Sequence, residues 1–441
     1  MPIMEWKGSG GTEQWFGCFS QRRHCVWLDG VDGGRGADWS ILAADPVETR
    51  SGPEGNLLEW MDEWDRRLAN FDPGEVPFVG GLIGQLDYEP EVPGYPPESL
   101  PRYSGWLGLY DRALVEHRPS GRLYAVVGDW VERGESVLQE WIDSLQGDAG
   151  PVPGRRPVRS SRPQSNQTRE QYIEGVRRIR EWIASGDIYQ ANLSQRFRCE
   201  FDGSAADLYR CLRKENPSPY SSFLDIGAKQ ILSSSPELFL EVTAGREVVT
   251  RPIKGTRPRS SEPEEDRALA AALRKNEKEQ SELLMIVDME RNDLGRVSEV
   301  GSVKANREFM LESFAAVHHL VGEVRGKLRA DAAISDLFAA TFPGGSITGA
   351  PKSRAMEIIR ELEPDPRGAY CGTIGFLSAG GVSRWSIAIR TMEVVGAQVE
   401  FGVGAGIVWD SDPESEFEET LHKARKMFAS LGWAIEEGEM Q

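Results

Sequence analysis

Apolar and polar positions along this chain follow two periods, which together predict short strands interspersed with longer amphipathic helices. The clearest helix covers 169–185, because Thr168 precedes it and Gln171 follows three residues later, as in a capping box. A second clear helix begins at Asp412 and Pro413 and ends at Gly432. Further helices are predicted over 57–69, 131–145 and 263–289, and strands over 25–28, 77–83, 123–127, 193–200, 222–225, 229–233, 237–243, 372–378, 384–394 and 398–408.

The predicted strands follow one another through glycine-rich corners rather than crossover helices, which is typical of antiparallel sheets. We therefore expect an α+β fold with large, mainly antiparallel sheets flanked by helices. Residues 147–167 are rich in Pro, Gly, Ser and Arg and nearly lack large apolar side chains, as in a linker. This predicts an N-terminal domain over 1–150, a linker over 151–167 and a C-terminal domain over 168–441.

Composition narrows the class of protein. The 441 residues include 51 basic and 69 acidic side chains, and the net charge of −18 argues against nucleic acid or an anionic membrane as a partner. The five cysteines are scattered without a Cys-x-x-Cys pair, so we expect reduced thiols rather than disulfides or a zinc site. We find no signal segment and no apolar run of ~18 residues, which predicts a cytoplasmic protein.

The segment from Arg251 to Arg259 (RPIKGTRPR) places Lys254 among three arginines. A β-branched run precedes it and a Gly-Thr turn follows, so we expect a strand that ends by presenting the amine at a rigid corner. A lysine that is partly desolvated and close to other cations has its neutral form favoured, which makes it a nucleophile near neutral pH. Taken alone, the composition is more typical of a solvated basic turn.

Two pairs of glutamates lie three residues apart, Glu279 with Glu282 and Glu416 with Glu419. In the last predicted helix, Glu416, Glu419 and Lys423 share one face. Carboxylates at this spacing can hold Mg²⁺, which takes one or two of them together with water and substrate oxygens. A pair of glutamates on a helix is more often solvated surface charge, so this interpretation depends on the rest of the chain.

Two glycine-rich segments are similar to nucleotide-binding motifs but lack the required context. Residues 342–352 (FPGGSITGAPK) join two predicted helices without a preceding strand, and 402–406 (GVGAG) continue as a strand rather than a helix. We expect the first to offer free N–H groups to a carboxylate and the second to be approached closely by a ligand or another strand. The adjacent His318 and His319 follow an apolar helical run, so we expect one packed and one exposed, with no shared metal.

Taken together, these segments resemble the chorismate-utilising enzymes. The motifs occur in order over about 165–430, whereas the first 150 residues match loosely, most clearly at 43–46 (AADP). The motifs are DIYQANLSQR at 187–196, SPE at 235–237, PIKGT at 252–256, MIVDMERNDLGR at 285–296, HHLV at 318–321, the loop at 342–352, IRT at 389–391, and GAGIVWDSDP at 404–413 followed by Glu416, Glu419 and Lys423. The resemblance implies an anthranilate synthase component I-like fold, with antiparallel sheets packed as a sandwich.

Two positions distinguish the chemistries of this family. Isochorismate and salicylate synthases carry a water-activating lysine where this chain has Gln190, and anthranilate synthases typically have alanine where it has Lys254. The resemblance therefore implies conversion of chorismate and ammonia to 4-amino-4-deoxychorismate, for p-aminobenzoate and folate synthesis. In that reaction Lys254 attacks C2, Glu237 as general acid protonates the leaving C4 hydroxyl, and ammonia then attacks C4 and expels the lysine.

The resemblance also implies roles for the remaining site residues. Mg²⁺ is expected at Glu282 and Glu419, with Glu279 and Glu416 beside it through water, and His319 is expected near the substrate ring. Expected substrate-binding residues are Thr348, Gly349, Arg390, Gly404, Gly406, Lys423 and Gln190. One departure is Gly322, where related enzymes often have serine.

The resemblance further implies a partner. The chain has no glutaminase nucleophile-elbow sequence, so a separate glutamine amidotransferase subunit is expected to supply ammonia, and tryptophan is a candidate ligand of the N-terminal domain. Two alternatives stay open. One is component I of an anthranilate synthase, which releases anthranilate and pyruvate. The other is a non-catalytic protein that senses chorismate or an amino acid, although a sensor does not need Lys254, Glu237 and both glutamate pairs.

Overall fold

The computed structural model describes residues 2–6, 10–31, 37–52, 56–72, 74–90, 103–147, 158–306, 308–314 and 317–435. Its helices are α1 (Thr12–Phe19), α2 (Leu57–Leu68), α3 (Gly134–Gly147), α4 (Arg169–Ala184), α5 (Ala205–Glu215), α6 (Pro263–Arg274), α7 (Glu277–Gly295), α8 (Ile334–Thr341), α9 (Lys352–Leu362) and α10 (Pro413–Ser430). Its strands are β1 (Ile3–Glu5), β2 (Val26–Asp29), β3 (Trp39–Ala43), β4 (Glu48–Ser51), β5 (Gly81–Pro90), β6 (Tyr103–Tyr110), β7 (Arg112–His117), β8 (Arg122–Val127), β9 (Arg159–Ser160), β10 (Gln164–Ser165), β11 (Gln190–Asp202), β12 (Tyr220–Asp225), β13 (Gln230–Ser235), β14 (Leu238–Val242), β15 (Glu247–Arg251), β16 (Ile253–Pro258), β17 (Lys304–Ala305), β18 (Met310–Ser313), β19 (Val317–Val321), β20 (Val324–Lys327), β21 (Gly349–Ala350), β22 (Thr373–Ser378), β23 (Ser383–Ile387), β24 (Thr391–Val395) and β25 (Gln398–Ile407).

The strands form three sheets. The order of the thirteen-stranded sheet is β1-β8-β7-β3-β2-β12-β13-β24-β25-β11-β10, with β9 and β21 also paired to β11. The nine-stranded sheet has the order β17-β20-β15-β14-β23-β22-β5-β6-β4, and the small sheet has the order β16-β19-β18. Every named strand pairing within the described ranges is antiparallel, as the glycine-rich corners predicted.

The two large sheets pack face to face, and helices cover their outer faces. In β3, Ile41 and Ala43 point between the sheets, whereas Leu42 points to the helices, because successive strand residues face opposite sides. Ile83 of β5 and Phe376 of β22 meet them from the nine-stranded sheet. The helices that pack on the thirteen-stranded sheet are α1, α3, α4, α5 and α10, and those that pack on the nine-stranded sheet are α2, α7 and α8. The predicted α+β sandwich is confirmed.

Both large sheets contain strands from before and after the predicted linker. Strand β2 pairs with β12, with Trp27 opposite Phe223, and β5 pairs with β22. Residues 151–157 of the predicted linker lie outside the described residues, and the remainder contributes β9 and β10 to the larger sheet. The domain boundaries stay a prediction, while the described strands join both parts of the chain in common sheets.

The starts of two predicted helices are confirmed. Thr168 and Gln171 form both hydrogen bonds of a capping box before α4. Asp412 accepts a hydrogen bond from the Ser415 N–H at 3.0 Å, which caps α10. Within the described part of the chain, no helix is long and apolar enough to cross a membrane.

The predicted single helix over 263–289 is wrong, because the chain forms α6 and α7 with a break at Lys275 and Asn276. The Asn276 side chain accepts a hydrogen bond from the Glu279 N–H at 3.0 Å and so caps a new helix. Since α7 begins here, Glu279 and Glu282 lie in its first two turns.

The predicted strand over 384–394 is also two elements. Strand β23 belongs to the nine-stranded sheet and β24 to the thirteen-stranded sheet, and Arg390 between them has a φ of 51°. Both strands carry the same alternating pattern, so the crossing between sheets leaves no periodic signal in the sequence.

The helical context and the single exposed histidine predicted at His318 and His319 are wrong. Both residues lie in β19, and each is only 2% exposed. Because neighbouring strand residues point to opposite faces, each has its own partners. His318 bonds to Ser313 and Asp266, whereas His319 bonds to Thr256.

Candidate active site

Lys254 lies within β16 rather than at a corner after a strand. It is opposite Leu320 of β19, and Gly255, with a φ of 71°, follows it at an irregularity in the pairing. A bulge of this kind re-aims a side chain without ending the strand. The predicted Gly-Thr corner is therefore a bulge, and β16 continues to Pro258.

Each of the three arginines near Lys254 in sequence has a carboxylate partner of its own. Arg251 pairs with Glu312 and Glu323, Arg257 with Glu279, and Arg259 with Asp266. These carboxylates offset the positive charge of the arginines locally, so the predicted effect of the arginines on Lys254 stays a prediction.

The Lys254 amine and the predicted site residue Gln190 both lie beside Gly406. A Cβ added at Gly406 would lie 3.1 Å from Lys254 Nζ and 2.9 Å from Gln190 Nε2, so a side chain there would occupy the space beside both groups. Gln190 is 1% exposed, and neither polar atom of its side chain has a hydrogen-bond partner among the described residues. Buried polar atoms are normally paired, so this amide is available to a substrate or water.

Glu237 is the buried acid of the site. It lies between β13 and β14 and is 4% exposed. Desolvation raises the pKa of its carboxyl to about 7, although the charges of Lys254 and Arg390 oppose the shift. Such a group holds a proton for part of the time near neutral pH, as a general acid requires.

The Arg390 guanidinium acts on both Glu237 and His319. Burial lowers the pKa of the Arg390 guanidinium to about 10, and Glu237 opposes this, so Arg390 stays a cation at neutral pH. Burial, followed by the charge of Arg390, lowers the pKa of His319 to about 3. His319 is therefore a neutral imidazole, held by a 2.9 Å hydrogen bond between its Nδ1 and Thr256 Oγ1.

The four predicted metal-binding glutamates lie on α7 and α10. Lys278 Nζ is 3.9 Å from Glu282 Oε1 and 4.0 Å from Glu416 Oε1, which places these carboxylates on either side of one amine. Desolvation raises the pKa of both carboxyls. Glu419 differs, because the charge of Lys423 lowers its pKa from a distance of 2.7 Å.

The donor chemistry of this cluster fits Mg²⁺. Glu279 and Glu416 both raise the pKa of Glu282, so the carboxylates are close enough to repel one another and to benefit from a cation. No set of three or more His, Cys, Asp or Glu side chains in the described residues is already arranged around a metal position. Mg²⁺ at this cluster therefore stays a prediction, which rests on the preference of that ion for carboxylate oxygens.

In the loop at 342–352, the predicted substrate-binding residue Thr348 forms a hydrogen bond within the loop itself. Thr348 is fully buried, and its hydroxyl donates to the Gly344 carbonyl at 2.9 Å. Gly349 pairs with Ala191, and a Cβ there would lie 2.1 Å from the Gln190 carbonyl oxygen. Glycine is therefore required for close approach to β11, and the substrate-binding role of both residues stays a prediction.

Lys423 connects Gly404, a predicted substrate-binding residue, to the glutamates on α10. Its amine donates to the Gly404 carbonyl at 2.9 Å and also pairs with Glu419. Gly404 itself lies against the Leu193 carbonyl of β11, which confirms that this glycine-rich segment is a strand closely approached by another strand.

The departure at Gly322 has a local explanation. A Cβ at this position would lie 2.5 Å from Val287 Cγ2 of α7 and 3.3 Å from Leu283 Cδ1. The position therefore faces the helix α7, and the absence of a side chain allows β19 and α7 to pack closely.

A small cavity, of about 40 Å³, lies between the two large sheets. Its lining includes Asp29 and Trp39 from the N-terminal part and Ser222 and Arg384 from the C-terminal part. The predicted binding of tryptophan to the N-terminal domain stays a prediction, and the cavity draws on both parts of the chain.

Three residues at the site were not predicted from the sequence, namely Lys278, Ser346 and Glu290. Lys278 stands four residues before Glu282, a spacing that could have indicated a pair. Ser346 belongs to the glycine-rich loop and Glu290 to the motif at 285–296, but only the fold brings them near Glu237.

Comparison with known proteins identifies the family of the chain. The chorismate binding enzyme family matches residues 19–429. Aminodeoxychorismate synthase component 1 of Escherichia coli strain K12 is 42% identical over 392 residues, which cover 87% of this chain and 83% of that protein. Anthranilate synthase component 1 of Streptomyces coelicolor is 41% identical over 381 residues, which cover 81% of this chain and 74% of that protein.

Solved structures agree with the fold. Anthranilate synthase component I from Streptococcus pneumoniae TIGR4 superimposes with a TM-score of 0.77 at 34% identity, covering 90% of this chain and 93% of that one. The match over 19–429 shows that the chain belongs to the chorismate binding enzymes. It is similar both to relatives that form aminodeoxychorismate and to relatives that form anthranilate.

Proposed function

We propose that this protein converts chorismate and ammonia to 4-amino-4-deoxychorismate through an intermediate in which Lys254 is bound to C2 of the ring. The observation that carries the proposal is that Lys254 Nζ and the unpaired amide of Gln190 both border the space above Gly406, while the charge of Lys254 acts on the buried acid Glu237. An amine nucleophile and a protonated carboxyl are the two groups that this displacement needs.

The first half-reaction uses Lys254 and Glu237. The neutral amine forms a bond to C2, the ring double bond shifts, and the C4 hydroxyl leaves as water with the proton of Glu237. In the second half-reaction ammonia bonds to C4, and the bond between C2 and Lys254 breaks to return the amine. Two displacements of this kind leave the new amino group at C4.

Gln190 limits the competing addition of water. An amide is not a base at neutral pH, so it does not activate water as a lysine at this position would. Its two unpaired polar atoms are instead available to a substituent of the substrate.

Carboxylates of the substrate require positive charge in a protein with a net charge of −18. Arg390 and Lys423 are the side chains we assign to this task. Glu282 and Glu419, with Glu279 and Glu416 beside them, would hold Mg²⁺, and the bound ion would supply further positive charge to a substrate carboxylate. The relatives named component 1 support the further proposal that a separate glutamine amidotransferase supplies ammonia, with the product serving p-aminobenzoate and folate synthesis.

The second candidate is anthranilate formation. It is supported by the 41% identity to the Streptomyces coelicolor protein and by the structural similarity at 34% identity. The two activities differ in their products, because anthranilate formation releases pyruvate and aminodeoxychorismate formation retains the enolpyruvyl group.

Product analysis tests the proposal. The protein is incubated with chorismate, Mg²⁺ and ammonium, and the products are separated by chromatography and identified by mass, with pyruvate measured in the same sample. We expect 4-amino-4-deoxychorismate without pyruvate. Anthranilate with an equal amount of pyruvate would establish the second candidate, and tight binding of chorismate without turnover would indicate a sensor.

A further inference from the structure

Arg367 lies between α9 and β22 and has no part in the reaction described above. It is only 1% exposed, and a guanidinium keeps its positive charge even when it is buried. Glu363, directly after α9, accepts two hydrogen bonds from it, from Nε at 2.9 Å and from Nη2 at 2.7 Å. The centroid of the Tyr88 ring lies 4.5 Å from the guanidinium carbon. A carboxylate at its edge and an aromatic ring at its face therefore fix the orientation of this cation.

The guanidinium of Arg367 also bridges two main-chain segments. Nη1 donates to the carbonyl oxygen of Ile347 in the glycine-rich loop, and Nη2 donates to that of Asn192 in β11, both at 2.7 Å. Two carbonyl groups cannot bond to each other, and each requires a donor when it is buried. The side chain supplies both donors at once and thereby joins the loop to the strand.

The backbone pairing between the loop and β11 lacks a donor at this point. The Asn192 N–H donates to the Thr348 carbonyl oxygen at 2.8 Å, and opposite residues of an antiparallel pair normally exchange a second bond in return. The Thr348 N–H is instead directed at the Gly345 carbonyl, where the loop forms a turn of 3₁₀-helix. Arg367 Nη2 takes the place of that N–H at the Asn192 carbonyl, so the side chain continues the pairing where the backbone leaves it.

The bridged segments carry predicted substrate-binding residues. Thr348 and Gly349 directly follow Ile347 in the loop, and Gln190 lies two residues before Asn192 in β11. A loop that is free to move away from β11 would carry Thr348 and Gly349 away from Gln190. The bridge therefore holds the two parts of the candidate site at a fixed separation.

We propose that Arg367 is a positioning residue of the chorismate site, which holds the glycine-rich loop against β11 and so fixes Thr348 and Gly349 relative to Gln190. The proposal rests on the proposed function, in which chorismate binds beside Gln190. Arg367 acts through the loop rather than on the reacting atoms. Its effect is on substrate binding, because a loop that the substrate itself must order lowers affinity.

Arg367→Lys separates positioning from chemistry. Lysine keeps a positive charge beside Glu363, but one ammonium does not reproduce the planar fork that reaches both carbonyls. We expect the KM for chorismate to rise by about tenfold while kcat changes by less than about threefold, because Lys254 and Glu237 lie on other elements. Initial rates are measured against chorismate concentration at saturating Mg²⁺ and ammonium.

Hydrogen exchange of the substrate-free protein provides a readout that does not need turnover. In Arg367→Lys, the backbone amides of residues 345–350 and of Asn192 should exchange faster than in wild type, because the pairing of the loop with β11 has lost its bridge. Exchange is followed by mass spectrometry of the peptides that contain these residues. Faster exchange together with a higher KM would connect the order of the loop to the binding of chorismate.

Arg246→Lys is the matched control. Arg246 Nη2 also donates to two main-chain carbonyl oxygens, those of Arg329 at 2.8 Å and Ala332 at 2.6 Å. It precedes β15, whereas Lys254 follows that strand, so this bridge lies at the end of β15 away from the site. The control variant should keep the wild-type KM and the wild-type exchange of residues 345–350.

A KM for chorismate within about twofold of wild type in Arg367→Lys would overturn the proposal, whatever the loss of kcat or thermal stability. Wild-type exchange in the loop would overturn it too, as would an equal rise of KM in Arg246→Lys. If Arg367→Lys does not fold, Glu363→Gln decides by the same measurements, since it replaces one of the two oxygens that hold Arg367 with a donor. Formation of anthranilate would contradict the proposed function and leave this test intact, because both products begin from bound chorismate.

Discussion

The charge of Lys254 acts on both Glu237 and Glu419, yet their surroundings give the two carboxyls opposite properties. Glu237 is buried between strands, and desolvation raises its pKa to about 7. Glu419 projects from α10 with about half of its side chain exposed, and the charge of Lys423 lowers its pKa. One carboxyl is therefore prepared to donate a proton and the other to remain an anion.

This difference teaches that position in the fold, rather than residue type, divides acid chemistry from cation binding. The proton donor comes from a connection between two strands inside the sandwich, where water is excluded. Glu419 comes from the surface of α10, where Lys423 and solvent stabilise its charge. Lys254 lies in the small sheet, and its charge acts on both Glu237 and Glu419. Substitutions at Lys254, at the glutamates on the helices and at Glu237 therefore test the two roles separately.

The largest effect is expected from Lys254→Ala. If Lys254 forms a covalent bond to C2, its removal should lower the rate of product formation by on the order of 10³-fold or more. Wild-type protein incubated with chorismate and Mg²⁺ but no ammonia should show a mass increase on the peptide that contains residues 252–256, and the variant should show none.

Lys275→Ala is the matched control, because this exposed lysine follows α6 and lies outside the site. It should retain both the adduct and the rate. A wild-type peptide without an adduct at saturating chorismate, or full activity in Lys254→Ala, would leave Lys254 with an electrostatic role only.

More of the fold than of the candidate site could be predicted from the sequence. Alternation and glycine corners were sufficient for antiparallel sheets, and capping residues were sufficient for α4 and α10. The crossing at Arg390 and the break at Asn276 were missed, because each interrupts a pattern that is the same on both sides. The burial of Glu237 and the position of Gln190 and Lys254 beside Gly406 depend on tertiary packing, which local patterns do not contain.

A smaller effect is expected at the acidic cluster. Glu282→Gln and Glu419→Gln should each weaken activation by Mg²⁺, since a neutral amide is a poorer ligand for a hard cation. Substitution of a residue that only orients a metal ligand commonly lowers metal affinity by about 10- to 100-fold. Substitution of a direct ligand should lower it by at least as much. Activity is titrated against Mg²⁺ for each variant.

Exposed glutamates on the same helices provide controls. Glu277→Gln on α7 and Glu418→Gln on α10 remove the same charge without approaching the cluster and should keep the wild-type Mg²⁺ requirement. A wild-type requirement in Glu282→Gln or Glu419→Gln would remove that residue from the metal site.

The smallest effect concerns stability and isolates the burial of Glu237. Its folded pKa of about 7 exceeds its ordinary value of 4.5, so between these pH values the folded state binds a proton that the unfolded state has lost. Stability should therefore fall as pH rises through this window and level off above it, by roughly 3 kcal/mol in total. Glu237→Gln carries no such proton, so its free energy of unfolding should be close to wild type at pH 5 and greater at pH 8.

Urea unfolding of both proteins at several pH values measures the difference. The exposed Glu418→Gln is the control, and its difference from wild type should not vary with pH. Parallel profiles for wild type and Glu237→Gln would show that the Glu237 carboxyl is solvated in the folded protein and is an anion like Glu419.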